Sequence, residues 1–389
     1  MDCSFIPTRG AGLRRLAAFT PRMGQAYAAG RNIDPGPEGR ADVSGLSPYL
    51  RRRLVTEHEV AKAAYAGHKE AAEKFIQEVF WRSYWKGWLE QRPGVWLAYQ
   101  QEVAQGQNRL ATESGLRRVF HDATEGRTGI DCFDAWAQEL VTHNHLHNHT
   151  RMWFASIWIF TLRLPWALGA DFFARHLLDA DPASNTLSWR WVAGLHTRGK
   201  HYVARADNIA RYTNGRFDPR GQLDETPEPM TEDMDFPTLA LALPAAPPQG
   251  EVHLLLHEDD LCPETLDLAG ARVRRVGLVA TDGFAAHGAA QPVAAFTHAA
   301  LEDTAARAAS AFGCEATVLA PDAIADWMKA SPAVVTPYAP VGPAADRLAR
   351  IAPDAMRVVR LWDAASWPYA RKGFFQMKDR IPALMAKLA

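Results

Sequence analysis

The sequence predicts a two-part fold: a mainly helical front domain over residues 1–220 and a smaller α/β domain with a mostly parallel sheet over 251–389. Three observations carry this. Apolar residues before position 220 recur at three- and four-residue intervals in long segments, the helical period. Residues 221–250 are acidic and proline-bearing, the composition of a linker. Beyond 250, short β-rich runs alternate with helical ones, the succession that builds parallel sheets. At 389 residues the chain also exceeds the roughly 100–200 residues expected of one domain.

In order, the helical periods run from Glu57 to Leu89, Gly129 to Leu140, His149 to Leu162 and Ala170 to Leu178. The linker reads G-Q-L-D-E-T-P-E-P-M-T-E-D-M-D-F-P and then P-A-A-P-P-Q-G. The strands expected after it are E-V-H-L-L-L-H, R-V-G-L-V-A, E-A-T-V-L-A, A-V-V-T-P-Y and M-R-V-V-R-L-W, with a helix from Thr297 to Phe312. Neither G-x-G-x-x-G nor G-x-x-x-x-G-K-[ST] occurs there, so no motif supports nucleotide binding by this unit.

The net charge of -1 hides an asymmetry, because residues 1–220 carry 29 Lys and Arg against 22 Asp and Glu while the remainder is net acidic. A polyanion would meet the front part more readily than the rear. Cys3, Cys132, Cys262 and Cys314 are too scattered for a zinc or redox pair and read as free thiols. With no long apolar run and no signal-like start, the chain is expected in the cytoplasm.

The stretch T-H-N-H-L-H-N-H-T-R-M places His143, His145, His147 and His149 at alternate positions. On a strand they would share one face and suit a metal. At a helix start the spacing spreads them around the axis, leaving His143 with His147 and His145 with His149 as the pairs able to meet. The helical reading is favoured and no metal is expected. Protonation near pH 6.5 is the role left to these histidines.

Ten of the 13 tryptophans fall between Trp81 and Trp191. In order, the front part carries V-S-G-L-S-P-Y-L (43–50), Q-E-V-F-W-R (77–82), E-G-R-T-G-I-D-C-F-D-A (125–135), H-N-H-T-R-M (147–152), L-P-W (164–166) and L-L-D-A-D-P-A-S-N-T-L-S-W-R-W (177–191). This ordered set resembles the FAD-binding domain of the DNA photolyase and cryptochrome superfamily, over roughly residues 10–220.

The resemblance implies FAD as cofactor and a role for each matching residue. Ser44, Leu46 and Ser47 match the loop and helix start that hold the FAD phosphates. Tyr27 matches a tyrosine packed on the cofactor, at a longer spacing. Arg151 and Asp179 match an ion pair beside the flavin, Asp181 a carboxylate facing its polar edge, and Asn185 the residue at flavin N5, where an amide adds no charge. Glu78 matches the carboxylate that helps protonate the reacting bases. Trp81 and Trp191 match the walls of a pocket for a flipped-out dimer. Asn148 and Met152 match its floor and side, Asn148 lying against the cofactor as well. Trp189 and Trp166 match two members of an electron-transfer chain whose third member has no clear match, with Trp158 and Trp153 as alternatives.

Several positions depart from the family pattern. Val43 replaces a threonine, Ser83 a glutamate, and Thr186-Leu187-Ser188 a glycine-rich turn. The α/β unit follows the helical part instead of preceding it, so it is either a permuted antenna-like domain or an unrelated module. The function implied is light-driven splitting of cyclobutane pyrimidine dimers, with damaged DNA as partner. Asn148 and Met152 stand where the (6-4) branch commonly has two histidines, which favours the cyclobutane lesion. The alternatives are a cryptochrome-like blue-light photoreceptor without repair activity, and a flavin protein without photochemistry. A monomer without membrane attachment is expected, with the rear domain as a surface for a protein partner.

Overall fold

The computed structural model describes residues 5–244, 247–281, 283–331 and 333–388, so Cys3 lies outside the described residues. The front part is built from α1 (Arg9–Phe19), α2 (Gln25–Gly30), α3 (Ser47–Arg51), α4 (Glu57–His68), α5 (Glu73–Glu90), α6 (Pro93–Thr112), α7 (Ser114–Thr124), α8 (Asp131–His143), α9 (Asn148–Ser156), α10 (Trp166–His176), α11 (Pro182–Ala193) and α12 (Ala206–Tyr212). Local chemistry sets their ends. Thr56 and Glu59 make a reciprocal capping box at the start of α4, Thr56 Oγ1 accepting from Glu59 N at 3.3 Å and Glu59 Oε2 from Thr56 N at 2.8 Å. Asp181 caps α11 by accepting from Ser184 N at 3.0 Å, Pro182 occupies the first turn, and Gly194 ends the helix at φ +88°.

The rear part holds β1 (Glu251–His257), β2 (Arg272–Val279), α13 (Gln291–Phe312), β3 (Glu315–Val318), α14 (Ile324–Lys329), β4 (Val334–Pro337), α15 (Pro343–Ile351), β5 (Met356–Val358), α16 (Leu361–Ser366), α17 (Phe374–Lys378) and α18 (Ile381–Leu388). The five strands form one all-parallel sheet in the order β3-β2-β1-β4-β5. Helix α13 therefore starts six residues before the Thr297 read from the sequence. The last expected strand is cut short at Val358, because Leu361 and the following residues turn into a helix.

The expected linker has no helix or strand among its described residues, yet it is not free. Met230 N donates to Ala193 O at 2.9 Å, Leu239 N donates to Gln91 O at 2.8 Å, and Phe236 lies 5.3 Å from the Arg190 guanidinium. Acidic composition here serves ion pairing, since Glu232 pairs with the buried Arg190.

Front and rear share one apolar core. Leu54, Phe80 and Tyr84 pack in the same buried cluster as Leu254, Leu301, Trp362 and Phe374. A buried ionic hub crosses the same seam, from L-R-R-R-L (50–54) to H-E-D-D-L (257–261). Arg51 pairs with Asp259, and Arg53 meets Glu57 at 3.1 Å, Asp260 at 3.3 Å and Asp363 at 2.7 Å. Among the described residues no helix is long and apolar enough to cross a membrane.

Candidate flavin and substrate site

The loop between α10 and α11 is the meeting point of the residues singled out in sequence. Arg51 Nε donates to Ala180 O at 2.6 Å and Arg52 Nη1 to Leu178 O at 2.5 Å, which brings α3 and its leading loop against this turn. Ser44 Oγ accepts from Leu46 N at 3.3 Å, and the buried Leu46 leads into Ser47 at the first turn of α3. From the other side α9 delivers Arg151, whose Nη2 donates to Asp179 Oδ2 at 2.9 Å. Burial pushes the Asp179 carboxyl up, but Arg151 and then His145 outweigh it and hold the group at about 2. Its other oxygen, Oδ1, is buried without a hydrogen bond.

Asp181 is fully engaged within the protein: besides capping α11 it meets Arg82 at 3.2 Å and Lys86 at 3.1 Å. Burial opposes its charge, yet Lys86, Arg82 and Arg51 keep it ionised far below the usual carboxylate range. Asn185, one turn into α11 and buried, donates from Nδ2 to Ala170 O at 2.8 Å. Tyr27 is buried edge-on to Phe75, with ring centroids 4.9 Å apart, and burial raises its phenol.

This donor set suits FAD. An orphaned buried carboxylate oxygen on Asp179, the neutral amide of Asn185 and the half-buried Arg151 are polar groups of the kind an isoalloxazine and a pyrophosphate require, while Arg51, Arg82 and Lys86 are engaged by Asp259, Glu57 and Asp181.

Glu78, Trp81, Met152 and Trp191 are half-buried and Asn148 is exposed. Glu78 is paired with Arg31; burial raises its carboxyl and Arg31 works against that shift. Trp191 stacks on Tyr202, with centroids 5.6 Å apart and 27° between planes. The Tyr202 hydroxyl lies 3.4 Å from His149 Nε2, and His149 Nδ1 lies 3.0 Å from Asn32 O. A rim thus runs from Glu78 and Arg31 through Asn32, His149 and Tyr202 to Trp191. Sequence reading missed Arg31 and Tyr202, since neither lies in a motif. Trp81 has one face against Phe374 of α17, with centroids 3.7 Å apart.

Trp189 and Trp166 are both buried. Trp189 stands edge-on to Trp158 at 6.2 Å, while Trp166 lies 5.8 Å from Tyr99, which lies 5.5 Å from Trp96. Trp153 is farther along α9, stacked on His149 at 4.1 Å.

The histidine stretch departs from expectation in two ways. Helix α8 ends at His143, Asn144 takes the left-handed conformation at φ +53°, and α9 begins only at Asn148, so helical i, i+4 pairing does not apply. His147 instead caps α9, its Nδ1 accepting from His149 N at 3.2 Å, and His145 packs against Phe5. Burial lowers His145 to about 3 and His147 to about 4, so both are neutral near pH 6.5 and cannot tune the site there. Among the described residues no group of three or more His, Cys, Asp or Glu is arranged to hold a metal ion.

A cavity of about 150 Å³ adjoins the same turn where the carboxyl ends of β1 and β2 meet α3 and α13, lined by Arg51, Arg52, Ala180, Glu258, Thr281 and Thr297 among others. Burial, and then Arg51, lower the Arg52 guanidinium to about 9.

Residues 75–227 match the profile of the FAD-binding domain of DNA photolyase. Over this helical region the chain is similar to the photolyase and cryptochrome superfamily, and the domain it matches is one that binds FAD. A deoxyribodipyrimidine photo-lyase of Alkalihalophilus pseudofirmus is 28% identical over 217 residues, which cover 54% of this chain and 42% of that one. One from Thermus thermophilus is 30% identical over 226 residues, covering 56% and 49%. A bacterial class III photolyase structure from Agrobacterium tumefaciens superimposes with a TM-score of 0.45 at 25% identity, covering 53% of this chain and 43% of that one. The chain spans about half or less of the length of the curated relatives it matches.

Proposed function

We propose that this protein is a light-driven DNA repair enzyme that splits cyclobutane pyrimidine dimers. The observation that carries the reading is a partition by burial. Of the residues assigned to the flavin, Tyr27, Leu46, Asp179, Asp181 and Asn185 are buried and Ser44, Ser47 and Arg151 half-buried, whereas Glu78, Trp81, Met152 and Trp191, those assigned to the lesion, are all half-buried and Asn148, assigned to both, is exposed. That is the arrangement a cofactor enclosed beneath an open substrate pocket requires.

When bound and reduced, FAD supplies light absorption and one electron that returns to it after the reaction. The chain's own residues do the rest. Trp81 and Trp191 offer aromatic walls that offset part of the cost of unstacking the dimer. Glu78, whose carboxyl burial raises while the paired Arg31 opposes the shift, is the group we assign to meet a pyrimidine carbonyl as charge develops. Asn148 and Met152 complete the pocket. Asn185 presents an uncharged amide to the flavin, so reduction there meets no added charge. Trp189 and Trp166, both buried, would be the residues able to pass an electron toward a bound flavin. The two bonds joining the pyrimidines break, both bases are restored, and no net oxidation occurs.

The test is illumination of the purified, flavin-loaded protein with thymine-dimer DNA. Loss of dimers under blue light and not in the dark is the expected result. Intact dimers despite photoreduction of the flavin would overturn repair in favour of light sensing.

A further inference from the structure

Phe374 and Trp81 lie face to face, with ring centroids 3.7 Å apart and planes inclined by 12°. They are 293 positions apart and belong to opposite ends of the chain. Phe374 is only 4% exposed, while its neighbour Phe375 is 74% exposed. The segment that carries Phe374 is fixed from behind. The Tyr84 hydroxyl donates to Lys372 O at 2.8 Å and Arg92 Nη2 to Arg371 O at 2.7 Å. Farther along, Gln91 Nε2 donates to Trp367 O at 3.2 Å. Phe374 and Met377 are both buried in the shared core, so α17 cannot swing away without exposing apolar surface.

We infer that Phe374 is a positioning residue for substrate, bracing Trp81 so that its ring is oriented before the lesion arrives. This rests on reading Trp81 as a wall of the dimer pocket. A half-exposed tryptophan on a helix face has several rotamers to lose when a base stacks on it, and each side chain immobilised on binding weakens the complex. A fixed aromatic face behind the indole removes that loss in advance. Trp85 supports the same ring from the side, at 5.3 Å and 34°. The rear part of the chain thereby contributes to lesion binding without touching DNA. A plug would be a different device, since Phe374 would then occupy the place of a base.

The experiment measures binding of a thymine-dimer oligonucleotide and its undamaged counterpart to the full-length, flavin-loaded protein. The variants are Phe374→Ala, Phe374→Leu and Phe374→Tyr, each with Trp81 present and with Trp81→Ala. Bracing predicts dimer binding about fivefold weaker in Phe374→Ala, the order of one aromatic pair. Phe374→Leu, which keeps bulk without a ring face, should lose nearly as much, and Phe374→Tyr should restore affinity. Undamaged DNA and the flavin spectrum should not respond, and nothing further should be lost in the Trp81→Ala background. Tighter dimer binding in Phe374→Ala identifies a plug and overturns the inference, as does an unchanged affinity or an equal loss without Trp81. If the unaltered protein shows no preference for the dimer, the repair reading itself falls. A preference that ignores Phe374 sinks only the brace.

Discussion

Replacing Arg53 with methionine should test how firmly the front and rear parts are joined. Arg53 is 2% exposed and meets Glu57, Asp260 and Asp363. Methionine fills much of its volume but leaves three buried carboxylates without the central cation. Breaking a buried ion pair from one side costs about 3–5 kcal/mol. Here Arg82 still reaches Glu57 at 3.3 Å and Arg360 still holds Asp260 at 2.6 Å, so Asp363, both of whose oxygens meet Arg53, bears most of the loss. The lower end, about 3 kcal/mol, is therefore expected. In urea, with a slope of roughly 3 kcal/mol/M, the unfolding midpoint followed by tryptophan fluorescence should fall by about 1 M. The pH dependence supplies a second readout. Burial already raises the Asp363 carboxyl with Arg53 present, and without the guanidinium it rises further above its unfolded value of about 4, so the variant regains stability as Asp363 protonates. The gap to the unaltered protein should narrow from pH 7 toward pH 5. A midpoint shift under about 0.3 M, or a gap that widens toward pH 5, would refute the assignment.

Glu78→Ala should lower the repair yield per photon while leaving the flavin absorption spectrum intact; full retained repair would sink its role in the pocket. Asn185→Asp adds a carboxylate at the position proposed to face the flavin and removes the amide N–H from Ala170 O, so the potential measured by spectroelectrochemistry should become more negative. Asp34 and Asp179 are both held at about 2, against an ordinary value near 4, so the stability they contribute is full above pH 4 and is lost as pH falls through 2. Thermal unfolding between pH 5 and pH 2 should show that decline, and it should shrink in Asp34→Asn. Gly87→Ala should cost about 1–3 kcal/mol in the urea assay, because the added methyl would sit 2.9 Å from Trp367.

Periodicity located α4 and α5, read as one run although residues 69–72 separate them, together with α8, α9, α10 and the strands of the rear, because these are set by local burial. Where an element ended was harder: M-R-V-V-R-L-W is β-rich throughout, yet its last residues form a helix that docks Trp362 on Phe80, with centroids 4.6 Å apart. Proline and acid content marked the linker, but composition could not show that Glu232 pairs with Arg190. In the site, motif order named Arg151 and Asp179, which meet although 28 positions apart. Arg31 against Glu78, Tyr202 against Trp191 and Phe374 against Trp81 were invisible, since each is a long-range contact between side chains that no spacing rule relates. The histidines misled for a similar reason. Their titration depends on burial by neighbours far along the chain, and the left-handed residue Asn144 breaks the helix on which their pairing was counted.

Gly87 has a historical implication. On α5, the first helix of the matched region, it is the notch into which Trp367 fits, with both Cα and Cβ of that tryptophan 2.9 Å from where a side chain would begin. A notch has no use without its key. Descent in this lineage should therefore have tied the two positions together: a branch that lost the terminal helices would be released to fill position 87, and one that filled it first could no longer seat them. The packed unit is larger than the 75–227 segment that sequence matching recognises. A graft of that segment onto another carrier would bring along an empty notch and an unsupported tryptophan.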